Sequence, residues 1–170
     1  MDWAISCDLR IDFDAEIRLL RESDLAEMSK KAPAQTFVPF GTTDTLRRGK
    51  WVEEPLADPS TGNARRVILD PIDRTRYSRA HAALGVVTYA GSDERSWFVY
   101  VKATMTGDEP ADVRQYHAAK PAFPQQTTAD QFFDEAQWES YRKLGEHIAE
   151  KVLTAALLDW LGANDPGAIM

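Results

Sequence analysis

The sequence has a single cysteine, Cys7, among 170 residues, so an internal disulfide and a cysteine-built metal cluster are both excluded. That scarcity fits a reducing, cytoplasmic setting. It also lacks a basic, apolar leader at Met1–Asp8. Long hydrophobic runs are missing too. The most apolar stretch, Val152 to Leu161, is about half of the roughly 20 residues that a membrane-spanning helix needs, and Asp159 interrupts it. Positive charge is in deficit, with 20 basic against 27 acidic residues and a net charge of −7. Such a surface repels phosphate backbones and anionic headgroups, so nucleic acid is not expected as a partner.

Several catalytic signatures are absent as well. None of the nine glycines stands four residues before another, so the Gly-x-Ser-x-Gly turn that exposes a hydrolase serine cannot form. Walker A and dinucleotide-binding glycine patterns are also missing. His81, His117 and His147 are the only histidines, and no two stand four apart, the spacing that puts two imidazoles on one helical face. Neither a cofactor nor a metal site is assigned from sequence, and no residue is assigned as catalytic.

What the chain does contain is enough apolar material, 44%, for one core of ordinary size. Apolar and charged residues alternate from Leu9 to Leu19, the period of a strand with one dry face, which suits a sheet edge. Ser23 is a candidate cap for a helix to about Lys31, stopped by Pro33. Frequent proline and glycine make about 32–77 read as irregular, an insertion or loop within a single domain spanning 1–170. Two β-rich runs, Ala80 to Tyr89 and Ser96 to Lys102, flank Ala90–Arg95 and read as a hairpin. Trp97, Val99 and Val101 share one face of the second run and Phe98 and Tyr100 the other, which predicts a strand that is central or covered on both sides.

Asp108-Glu109-Pro110 supplies acids and a proline for a first helical turn, with a helix to about Lys120. Thr128 and Gln131 stand at capping-box spacing and open a predicted helix at about 128–161, with Gly145 as a possible bend and Gly162 as its stop. The expected fold class is therefore α+β: a small antiparallel sheet, with an edge strand at about 9–19 and a hairpin at about 80–102, packed by that helix.

Five residues are weak candidates for ligand or partner contact. His81 lies in a predicted strand near Arg79, where the plainer reading is a half-buried polar residue. Gly107 and Asp108 belong to the loop Thr104–Pro110, which reads first as a structural turn in which Gly107 permits an unusual backbone angle. Asp130 and Glu135, with Asp134 and Glu139, place carboxylates four apart, a pattern that can hold a cation but that a helix N-terminus also favours. His147 reads as a solvated helix residue.

Beyond these motifs, a longer pattern stands out. Val99–Lys102, Thr106–Val113, Phe123-Pro124, Thr128–Phe133 and Glu135–Gly145, preceded by Arg10–Ile17 and Ser78–His81, resemble in order the C-terminal region of bacterial patatin-like phospholipases. The resemblance covers most of the chain apart from about 22–77. That family hydrolyses acyl esters with a Ser-Asp dyad whose two motifs precede the region matched, so the resemblance places both upstream of residue 1. No catalytic residue carries over. What it implies is a non-catalytic accessory or partner-binding domain acting with a lipid acyl hydrolase chain, and membrane contact only through that partner. Two alternatives stand beside it. One is an independent binder, such as an inhibitor or immunity factor of a lipase effector. The other is a hydrolase whose site involves His81 with Asp70 or Asp73.

Overall fold

The computed structural model describes residues 15–47, 77–127 and 132–169. Its strands are β1 (Ala15–Leu19), β2 (Phe40–Gly41), β3 (Ala82–Tyr89) and β4 (Arg95–Val101). Its helices are α1 (Glu22–Lys31), α2 (Ala111–Ala119), α3 (Glu135–Val152) and α4 (Ala155–Ala163), with a final 3-10 turn at Pro166–Ile169. The fold is α+β, a four-stranded sheet with helices packed on it.

β3 is the centre of the sheet. β4 pairs antiparallel along one of its edges, from Ala82↔Val101 to Thr88↔Arg95. The other edge is shared: β1 runs antiparallel beside Gly85–Tyr89, and the short β2 runs parallel beside Ala82 and Ala83. The sheet is therefore mixed rather than wholly antiparallel. Gly85 is where β1 comes closest, since a Cβ there would lie 3.0 Å from both the Arg18 carbonyl and Leu19 Cδ2.

Alternation along β3 divides the core. Ala82, Leu84 and Val86 face the main cluster, with Val113 of α2, Leu144, Ile148 and Val152 of α3, and Leu157 and Trp160 of α4. Ala83 faces a smaller cluster with Leu46 and Ala80. Each fully buried Leu or Val contributes about 1.5–3 kcal/mol, so β3 and the helix stripe over it carry much of the stability. The central strand is β3, not β4, which has β3 as its one partner among the described strands; both faces of β4 are nonetheless partly covered, with Trp97 and Val99 packed on the main cluster and Tyr100 on the smaller one.

The helices depart from the sequence reading at their ends. The helix expected over 128–161 is two helices, because Leu153 leaves the helical conformation and Thr154 starts afresh, its hydroxyl accepting from the Leu157 amide at 3.2 Å. α3 continues as helix through Gly145, and α4 continues one residue beyond Gly162. α3 is capped by Asp134, which accepts from the Gln137 amide at 2.7 Å. The predicted cap, Thr128 with Gln131, lies outside the described residues, as does the edge strand before Ala15. α1 is capped at Arg21 rather than Ser23, with Asp24 accepting from the Arg21 amide at 3.0 Å. Residues 48–76 of the segment read as an irregular insertion also lie outside the described residues. Its first part is well packed, with Phe37, Phe40 and Leu46 in the core.

Candidate functional site

One end of the hairpin carries a concentrated polar cluster. His81 sits immediately before β3 and is 3% exposed. Its ring is fixed from behind. The Thr104 hydroxyl has one proton, and the Ala80 carbonyl at 2.9 Å takes it, so the Thr104 oxygen accepts at 3.0 Å from His81 Nδ1. With Nδ1 held by Thr104, Nε2 is the ring nitrogen that faces outward.

What Nε2 faces comes from the loop after β4. Thr106 Oγ1 lies 3.1 Å away, and Asp108 Oδ1 lies 3.8 Å away, beyond hydrogen-bond range. The same Thr106 hydroxyl donates its one proton to Asp108 Oδ1 at 2.8 Å, while its oxygen stays in contact with Nε2. The loop is held by Glu109, a buried carboxylate that accepts from the Thr106 and Gly107 amides. Gly107 has φ +98°, where a side chain would be strained, so its expected backbone angle is present. Glu109 therefore turns back to tie its own loop, and α2 starts at Pro110 without a side-chain cap. The helix-capping role expected of Asp108 and Glu109 is thus replaced by a different one.

α3 completes the cluster. His147 Nε2 donates to Asp108 Oδ1 at 3.1 Å, and Lys151 Nζ donates to Oδ2 at 2.7 Å. The His81 and His147 rings meet edge to face with centroids 5.7 Å apart. His147 is thus not the solvated residue expected, since its side chain is only 11% exposed and faces inward to Asp108. The neighbouring His81 imidazole, then Lys151, Thr106 and His147, hold the Asp108 carboxyl far below the usual carboxylate range, outweighing the partial burial that opposes them.

The cluster opens into a groove of about 670 Å³. One wall comes from residues 34–39, and Arg79, Arg114 and Lys151 give it more positive than negative charge, against Asp108 and Glu150. The donor atoms of His81, Asp108, Glu109 and His147 all lie within 4.8 Å of one another, so these four could together hold a metal ion.

Of the five candidates, the structure brings His81, Gly107 and Asp108 together. Glu135 is apart from them, exposed on the first turn of α3, and Asp130 lies outside the described residues, as do Asp70 and Asp73. Sequence reasoning missed Thr104, Thr106, His147 and Lys151. The one available signal was the i, i+4 spacing of His147 and Lys151, which places both on one face of α3. Compared with protein families, curated proteins and solved structures, the chain matches none.

Proposed function

We propose that this chain is a non-catalytic accessory domain that docks on a separate patatin-like acyl hydrolase chain. The observation that carries the reading is the exposure of three large aromatics at and just before the start of α3: Phe132 is 94% exposed, Trp138 63% and Phe133 47%. Large exposed aromatics are typical anchors of protein interfaces. Glu139 and Arg142, which follow Trp138 on α3, pair with each other at 2.8 Å and would supply polar contacts at an interface there. These residues lie within the stretch whose sequence resembles the C-terminal region of patatin-like phospholipases, and that resemblance supplies the chemistry of the partner. Affinity capture from the native cell is expected to recover an acyl hydrolase chain, and a Phe132→Ala/Trp138→Ala double variant to lose it at least tenfold. Recovery of no acyl hydrolase by the unaltered chain would overturn the proposal.

A second reading, ester hydrolysis by this chain itself, is favoured by the contact of His81 Nε2 with the Thr106 hydroxyl inside the groove. It requires turnover by the isolated chain that His81→Ala abolishes. The accessory reading expects no such turnover.

A further inference from the structure

We propose that His81, His147 and Asp108 form a binding site for a divalent transition metal of the zinc class, with one coordination position open to the groove. The donor set is two imidazole nitrogens and one carboxylate oxygen, which suits zinc and similar borderline ions better than magnesium or calcium. Around a tetrahedral ion with bonds of about 2.0–2.1 Å, neighbouring donor atoms stand about 3.4 Å apart. The separations of Asp108 Oδ1 from His147 Nε2 and His81 Nε2, 3.1 and 3.8 Å, lie on either side of that value.

The surroundings of the three donors favour ligation. Thr104 pairs with Nδ1 of His81 and leaves Nε2 facing the other donors, the arrangement that metal-bound histidines require of their second nitrogen. Lys151 engages Oδ2 of Asp108 and leaves Oδ1 toward the imidazoles. Glu109 fixes the backbone on which Asp108 is carried, through the Thr106 and Gly107 amides. Without an ion, the Thr106 hydroxyl donates to Oδ1 of Asp108 and its oxygen lies 3.1 Å from Nε2 of His81. With an ion in that place the hydroxyl has another acceptor nearby, Glu109 Oε1 at 3.3 Å. The plainer alternative is that the cluster is a closed ion-pair network, in which Lys151 and His147 already satisfy Asp108. The convergence of two imidazoles on one carboxylate oxygen argues against it, because a network needs only one of them.

Calorimetric titration of the untagged, chelator-stripped full chain with zinc chloride tests this, with metal content measured after gel filtration. One equivalent of zinc is expected. His147→Ala and Asp108→Asn are each expected to weaken binding at least tenfold while circular dichroism stays unchanged. These two partly exposed positions avoid the risk that a variant of buried His81 fails to fold. Cobalt substitution adds a readout independent of affinity, an intense visible absorption from a four-coordinate ion that His147→Ala abolishes. No stoichiometric zinc, or zinc held equally well by both variants, would overturn the proposal.

Discussion

Two buried histidines in this fold are put to opposite uses. His117, 1% exposed, accompanies aromatic rings: Tyr77 lies 5.5 Å and Phe123 6.5 Å away between centroids, and Nδ1 donates to the Phe123 carbonyl at 2.7 Å. Around it, Phe123 meets Tyr116 and Tyr141 edge to face, and the Tyr141 hydroxyl lies 3.1 Å from the Pro124 carbonyl. His81 is nearly as buried, yet its neighbours are hydroxyls, a carboxylate and a second imidazole, and a groove lies beyond them. Burial alone therefore does not separate a packing histidine from a chemical one. The partner of the second ring nitrogen and the space in front of it do.

The sharpest way to break that contrast is to remove each end in turn. His117→Ala leaves a cavity and an unpaired carbonyl among packed rings, and is expected to cost about 2–5 kcal/mol in urea denaturation. His147→Ala, at the edge of the other cluster, is expected to cost less than about 1 kcal/mol. Equal losses would mean that both clusters are simply core. Gly107→Ala imposes a side chain at φ +98° and is expected to cost about 1–3 kcal/mol and to displace Asp108, lowering zinc uptake in the same protein. Thr154→Ala removes only the cap that separates α3 from α4, about 1 kcal/mol in the same denaturation, and is expected to leave zinc uptake intact.

The smallest effect concerns acid. Folding depresses the Asp108 pKa below its ordinary value of 3.8, so the stability it contributes is present above that pH and is lost as pH falls toward the depressed value. The difference in melting temperature between the unaltered chain and Asp108→Asn is therefore expected to narrow between about pH 4 and pH 2. Its size is limited because the Asp108 side chain is half exposed and water screens its partners. A difference that stays constant across this range would show that the carboxylate is not held by the charges around it.

Much of the scaffold was legible because its signals are local. Alternation and a turn-rich loop located the β3–β4 hairpin, and Glu109-Pro110 located the start of α2. The α3–α4 break was harder to see, since Val152, Leu157 and Trp160 keep an apolar pattern across it while Thr154 cuts the backbone ladder. The site was only half legible. Gly107 announces a special turn in any sequence, but the meeting of His147 with Asp108 spans 39 residues, and no spacing rule reaches that far. For β4 the sequence indicated that both faces are partly covered, but two apolar faces say nothing about how many neighbours a strand has, and the central place belongs to β3.

Glu109 gives the loop a consequence for folding kinetics. It organises Thr106 to Asp108 through contacts two and three residues away, which can form early, whereas His147 and Lys151 arrive only when α3 docks on the sheet. The cluster is thus expected to assemble on the native side of the folding barrier. An occupant of the groove that needs both halves would slow unfolding while leaving the folding rate almost unchanged, so its signature would be the lifetime of the native state rather than the speed with which the chain reaches it.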